Sequence, residues 1–244
     1  MLTNLDLATT LHRLRPHGER PYVIGLTGGV AAGKSTLAGE LAKRIAGWLE
    51  APRVEVVSTD GFLRPNAELD AAGLTRRKGF PETYDAAKLA SALHAIRQGP
   101  TNFPVYSHLT YDVDPAQARE VEVPDVLIVE GLGLSGATPL DTLIYLDARE
   151  ADLEAWYVRR FLQFWREGLT NPGSFYARFA GLDANGATAM ANAVWLAINL
   201  PNLREHILPV REGSHIVVRK GPDHELLNID IRAASNSREM ALRR

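Results

Sequence analysis

The sequence predicts an α/β fold: a three-layer α/β/α sandwich on a mostly parallel central sheet, with a helical lid and acceptor region. Three observations predict it. Strand-like and helix-like segments alternate along the chain, the pattern of parallel sheets covered by helices. Two runs, Asp125-Val126-Leu127-Ile128-Val129 and Leu143-Ile144-Tyr145-Leu146, are almost wholly apolar, as strands buried on both faces must be. Third, Gly28-Gly29-Val30-Ala31-Ala32-Gly33-Lys34-Ser35 fits G-x-x-x-x-G-K-[ST] and lies between a β-prone run and a helical one.

The elements follow in order. Leucines at 5, 7, 11 and 14 predict a short amphipathic helix within an N-terminal extension over residues 1–20. Tyr22 to Thr27 reads as the first strand, and Thr36 to Leu49, with apolar residues at 37, 41, 45, 48 and 49, as the helix after the glycine loop. Arg53 to Ser58 is a second parallel strand. Thr59 to Asp85, rich in glycine, proline and charge, is expected to be a functional loop with some local helix. Ala86 to Arg97 is helical and is stopped by Gly99-Pro100. Phe103 to Val123 alternates around two short strands, and the two apolar runs supply central strands. Helices are expected over Ala151 to Glu167 and Ala187 to Leu200, joined by Gly168 to Gly186. Ile216 to Val218 and Leu226 to Ile231 close the sheet. The expected organisation is one domain over 1–244, with a helical lid and acceptor pocket over 150–211 and a polar tail over 233–244.

Composition narrows the function. With 27 basic and 29 acidic side chains the chain is nearly neutral, which gives no electrostatic case for nucleic acid. No cysteine is present, which excludes disulfides, thiolate metal sites and thiol catalysis. Residues 1–20 lack the apolar core of a secretory signal and no run is long enough to span a bilayer, so a cytoplasmic protein without a membrane partner is expected.

In the glycine loop, Gly28, Gly29, Val30, Ala31, Ala32 and Gly33 would turn backbone N–H groups onto phosphate oxygens, assisted by the helix N-terminus. Lys34 would reach the β- and γ-phosphates, Ser35 would face Mg²⁺ and Thr36 continues the phosphate cradle of an ATP site. Asp60 ends the second strand, where open α/β sheets place their ligands. It could take a proton from an attacking hydroxyl, help hold Mg²⁺, or simply cap the Asp-Gly turn. Glu130 ends the central strand and is a metal-site candidate with Ser35. Tyr106 and His108 share one strand face by spacing, which by itself favours packing; Tyr111 follows. Arg159 reads as solvated. Phe161, Phe164, Trp165, Phe175, Tyr176 and Phe179 are either core or the wall of an apolar pocket.

These motifs, taken in order, resemble a type I (bacterial) pantothenate kinase, within the P-loop kinase superfamily that includes uridine kinase and phosphoribulokinase. They are GGVAAGKST at 28–36, STDGFL at 58–63, RRKGFPETYD at 76–85, PVYSHLTYDV at 104–113 and LIVEGL at 127–132, then WYVRRFLQF at 156–164, INLPNLREHILPVR at 198–211 and RKGPDH at 219–224. The resemblance covers about residues 20–225. Uridine kinases and phosphoribulokinases typically carry Asp-Ser-Phe where this chain has Asp-Gly-Phe.

The resemblance implies ATP-dependent phosphorylation of the primary hydroxyl of pantothenate, the first step of coenzyme A biosynthesis. It implies Asp60 as general base, Lys34 and Arg160 on the transferring phosphoryl group, and Tyr106, His108, Tyr111, Tyr157 and Asn199 around pantothenate. His224 would lie near the adenine, and the family suggests a homodimer. The chain departs from the family in a shorter region before the first strand, so coenzyme A feedback inhibition is not carried over. It departs also in a shorter Gly131–Leu140, an altered spacing over Phe164–Gly168, and a swapped Phe175-Tyr176 pair. These keep open a related kinase acting on a nucleoside or sugar acid. A non-catalytic nucleotide-binding module is disfavoured, because Asp60 and Glu130 accompany Lys34 and Ser35.

Overall fold

The computed structural model describes residues 3–16, 18 and 20–232. The polar tail expected at 233–244 lies outside the described residues.

The central sheet has six strands: β1 (Tyr22–Gly28), β2 (Val54–Ser58), β5 (Val126–Glu130), β6 (Thr142–Asp147), β7 (Ile216–Lys220) and β8 (Leu226–Ile231), with β3 (Thr101–Ser107) and β4 (Asp112–Val121) set apart as an antiparallel hairpin. The order is β2-β5-β1-β6-β7-β8; all neighbours are parallel except β7 and β8. β1, β5 and β6 are buried throughout, which is why their sequences are apolar runs rather than alternations.

On one face α1 (Asn4–Leu14) and α2 (Lys34–Ala46) pack Leu7, Leu11, Leu37, Leu41 and Ile45 onto Ile24, Leu26, Ile128 and Ile144. On the other, α4 (Ala86–Ala95) brings Leu89 and Leu93 to Val23, Val57, Leu127 and Val129; a one-turn α3 (Asn66–Ala71) lies in the preceding loop. A smaller cluster holds the region expected to be the lid, where Phe161 and Trp165 of α5 (Glu150–Thr170) meet Ala187 and Ala191 of α6 (Ala184–Val194).

Several boundaries differ from the sequence reading. Helix α2 stops at Ala46 because the Gly47 N–H closes onto Arg44 and Ile45; Leu49, expected on its apolar face, is fully exposed. Helix α4 likewise stops at Ala95. Strand β4 is ten residues long rather than short. Gly168 does not end α5. The backbone of Tyr176 and Ala177 passes so close that a Cβ at Gly168 would lie 2.7 Å from the Tyr176 carbonyl carbon, so this glycine is a packing contact inside the helix. Nor does helical winding stop at Leu200. Residues 195–213 continue in π and 3₁₀ turns around Pro201 and Pro209. Proline lacks an N–H and its ring presses on the carbonyl four residues back; a widened turn accommodates both.

Candidate active site

The glycine loop connects β1 to α2 with Gly28, Ala31 and Gly33 at positive φ, which turns successive backbone N–H groups inward at the helix N-terminus. Lys34 Nζ donates to the Gly28 and Gly29 carbonyls at 3.1 and 3.0 Å. Burial pulls its pKa below the ordinary lysine value, opposed by the charges of Glu130 and Asp60. Ser35 Oγ donates to Glu130 Oε1 at 3.1 Å. Glu130 is itself buried, and desolvation raises its pKa while Lys34 holds it down.

Among the described residues no three His, Asp or Glu side chains form a metal cage. Mg²⁺ needs no such cage: it keeps several waters and takes one or two carboxylates plus substrate phosphates, and a buried carboxylate hydrogen-bonded to the loop serine fits that demand.

Asp60 sits in a 3₁₀ turn, Thr59–Phe62, directly after β2; its N–H donates to Ser58 Oγ at 3.3 Å. Tyr84, which sequence reading missed, is buried beneath it and donates its hydroxyl to Asp60 Oδ1 at 3.3 Å. The turn is locked from two sides. A Cβ at Gly61 would overlap the Pro104 carbonyl oxygen, so the β3–β4 hairpin rests directly on it. Gly131, at φ 146°, packs so closely on Thr59 that a Cβ would overlap its Oγ1. Gly131→Ala is therefore expected to lower stability by about 2–4 kcal/mol, from overpacking plus backbone strain, with kcat falling alongside; urea unfolding read by tryptophan fluorescence checks it.

The hairpin carries the tyrosine–histidine group expected to hold the acceptor. His108 lies in the turn beyond β3 rather than on its face, yet its ring centroid is 5.2 Å from Tyr106, and Tyr111 is 5.9 Å from Tyr106. Tyr111 has φ 57°, a strained left-handed conformation, and its carbonyl is clamped by Asn66 Nδ2 at 3.0 Å and Lys78 Nζ at 2.6 Å. Lys78, also missed in the sequence, lies over the Tyr106 and Tyr111 rings at 5.0 and 4.7 Å; burial lowers its pKa to about 8.

From the lid, Phe175 stacks on Tyr111 at 4.3 Å, and Phe164 faces His108 at 6.4 Å. The aromatic group therefore divides. Phe161 and Trp165 are core, whereas Phe164, Phe175 and Tyr176 border the tyrosine–histidine group. Burial raises the Tyr157 pKa, opposed in part by Asn199 beside it; the Asn199 Nδ2 is buried with no hydrogen-bond partner.

Arg160 is exposed on α5 with its guanidinium 5.3 Å from the Phe164 centroid, and its charge is felt at Lys34, His108, Tyr111 and Tyr157. Exposed Arg159 acts on His224 instead, at the other edge. There the His224 ring stacks on Trp156 at 3.9 Å, and Lys220 Nζ reaches His224 Nδ1 at 3.2 Å and the Ala32 carbonyl at 2.9 Å. Lys220 is a third residue that sequence reading missed. The structure thus gathers Lys34, Ser35, Asp60, Glu130 and the tyrosine–histidine group, and places His224 apart, beyond the glycine loop.

A cavity of about 280 Å³ among Asp147, Arg211, Arg219 and Asp230 shares none of these residues.

A model of the phosphoribulokinase/uridine kinase family matches residues 23–158. A pantothenate kinase of Bradyrhizobium diazoefficiens is 43% identical over 230 residues, covering 88% of this chain and 72% of that protein. A pantothenate kinase of Leifsonia xyli subsp. xyli is 44% identical over 251 residues, covering 95% and 78%. Among solved structures, a putative fructose transport system kinase from Silicibacter sp. TM1040 superposes with TM-score 0.68 at 29% identity, covering 86% of this chain and 96% of that one.

Proposed function

Because the chain belongs to the phosphoribulokinase/uridine kinase family and, within it, groups with the pantothenate kinases, we propose that it transfers the γ-phosphoryl group of ATP to the primary hydroxyl of pantothenate. The observation that carries this reading is the placement of Asp60. Its charge acts on Lys34 of the phosphate loop and Glu130 at the end of β5 and, on the opposite side, on Tyr84, Tyr106, His108 and Tyr111. One carboxylate stands between a triphosphate cradle and a hydrogen-bonding aromatic pocket.

In this reading Asp60 accepts the proton of the attacking hydroxyl, and the Tyr84 hydroxyl holds its carboxylate in orientation. Lys34, now folded onto loop carbonyls, moves to the phosphates when they fill the cradle, and Arg160 swings in from the lid to neutralise charge on the transferring group. Ser35 and Glu130 would hold Mg²⁺, which, when bound, neutralises phosphate charge. His108 is neutral at pH 7, since desolvation moves its pKa further below the ordinary 6.5, and it serves as a hydrogen-bond partner rather than an anion trap. The unpartnered Asn199 Nδ2 offers the acceptor a donor.

Lys78 positions the Tyr111 turn, and its charge supports that role. As pH rises through about 8 the ammonium loses its proton, so kcat/KM for the acceptor is expected to fall on the basic side. Lys78→Arg should retain activity past pH 9, and Lys78→Met should lose about tenfold in kcat/KM at pH 7 together with the basic limb. Stability moves the other way. Between pH 8 and the ordinary 10.5 the unfolded chain keeps this proton and the folded one does not, so the Lys78 contribution makes stability rise with pH there.

A panel of hydroxyl acceptors with Mg-ATP, read by ADP release, tests the substrate assignment: pantothenate should exceed every nucleoside and sugar acid in kcat/KM. A second reading, a related kinase for another small hydroxyl compound, is favoured by one observation. The swapped pair puts Phe175, which has no hydroxyl, flat against Tyr111 in the acceptor wall. Preferred transfer to a nucleoside or sugar acid in the same panel would select it.

A further inference from the structure

We propose that Glu40 reads the ribose hydroxyls of the bound nucleotide, so that the site selects ribonucleoside over dideoxyribonucleoside triphosphates. This rests on the kinase reading only in requiring that a nucleoside triphosphate occupies the glycine loop.

A cavity of about 260 Å³ opens from the end of that loop. Gly33 and Thr36 form its phosphate end, Glu40 lies one turn further along α2, Lys220 and His224 line the opposite side, and Asn4 at the start of α1 closes it. The cavity is continuous with the cradle: Gly33 lies so close to the β7 end that a Cβ there would come within 2.9 Å of Lys220 Nζ and 3.8 Å of His224 Nδ1.

A triphosphate seated in the cradle leaves it past Thr36 through its α-phosphate, and the next chemical group is the sugar. Thr36 and Glu40 are four residues apart on one helix face, a separation of about 6 Å along the axis. That is one step from phosphate to sugar. Beyond it the flat His224–Trp156 stack offers a surface for a planar base. Among the lining side chains Glu40 is the one carboxylate, and a carboxylate can only accept.

Placed near a triphosphate, an acceptor-only anion is repelled unless the ligand brings donors, and a vicinal diol brings two. Glu40 Oε1 takes a hydrogen bond from Lys43 at 3.2 Å, while Oε2 has no protein partner among the described residues. A carboxylate has room for the lysine and both hydroxyls together. Dinucleotide-binding folds use the same chemistry, an acid at a strand end accepting from a ribose hydroxyl. The Glu40 side chain is 41% exposed, so water competes and the preference is modest.

Calorimetric titration of ATP and of 2′,3′-dideoxyATP, with Mg²⁺ and no acceptor, tests this on wild type, Glu40→Gln and Glu40→Ala. Wild type should bind ATP about five- to tenfold tighter than the dideoxy analogue. Glu40→Ala should bring the two within about twofold by weakening ATP, with the analogue's Kd unchanged or lower as the repelling anion is lost, and Glu40→Gln should fall between. Equal wild-type affinity for the two nucleotides, or an equal loss of both in Glu40→Ala, overturns the proposal while leaving the kinase reading standing. No binding of either nucleotide would overturn both.

Discussion

Asp60→Asn is expected to lower kcat with Mg-ATP and pantothenate by at least about a hundredfold, with the Kd for ATP within about twofold of wild type. A positioned general base contributes roughly 10²–10⁴-fold, and an amide of nearly the same shape cannot take the proton. Packing should survive, because the Tyr84 hydroxyl can donate to the amide oxygen as it now donates to Asp60 Oδ1, and the Ser58 cap uses the backbone N–H of residue 60 rather than its side chain. Losing the carboxylate also removes a charge that raises the pKa of both Lys34 and His108. His108 therefore becomes still less basic, and the acid limb of the pH–rate profile should flatten with the loss of rate. Steady-state kinetics beside equilibrium nucleotide binding separates this from a folding defect: turnover collapses and binding does not. A variant turning over within threefold of wild type would remove Asp60 from the chemistry.

Lys34→Met should lower kcat by about 10²–10³-fold and, unlike Asp60→Asn, weaken ATP binding as well. In the proposed reading its ammonium leaves the Gly28 and Gly29 carbonyls for the phosphates, and removing one such donor from a water-poor site costs that much. The same substitution should leave the melting temperature unchanged or higher, because desolvation of the ammonium disfavours its charged form in the empty site and methionine has no such penalty. A second consequence falls on Glu130. Lys34 holds its pKa down against burial, so without the lysine Glu130 is protonated at higher pH. The Mg²⁺ concentration for half-maximal rate should then increase, most strongly on the acid side. Thermal melts together with Mg²⁺ titrations at pH 6 and pH 8 check both consequences.

The parts of this site legible in the sequence are those set by local pattern. The glycine loop needs only its own eight residues and a strand and helix beside them, and β1, β5 and β6 announce their burial by being apolar on both faces. Asp60 and Glu130 follow from the rule that strand ends carry ligands. Tyr84 and Lys78 were not legible, because their roles arise only after the 75–85 loop folds back beneath Asp60 and the hairpin lands on Gly61; Tyr84 meets Asp60 across 24 residues and Lys78 meets Tyr111 across 33. Glycine and proline misled where they are usually reliable. Gly168 reads as a helix end but lies inside the helix, packed on Tyr176, and winding expected to end at Leu200 continues through Pro201 in a short α-helical turn between two π turns.

Phase alone does not divide the aromatic helix, because Phe164 and Trp165 lie three and four residues from Phe161 and both spacings share a helix face. The tertiary packing separates them: Phe161 and Trp165 meet Ala187 and Ala191, while Phe164 faces His108. The Tyr106–His108 contact was anticipated for the wrong reason: β3 has already ended at Ser107, and it is the turn that brings the histidine back.

Phosphorus NMR of the product formed by the wild-type chain from Mg-ATP and pantothenate tests the central claim most directly. The expected result is stoichiometric ADP and one new phosphate monoester whose phosphorus couples to the methylene protons of the pantothenate primary alcohol. ADP accompanied only by inorganic phosphate, or pantothenate recovered unmodified while a nucleoside or sugar acid is esterified in its place, would contradict it.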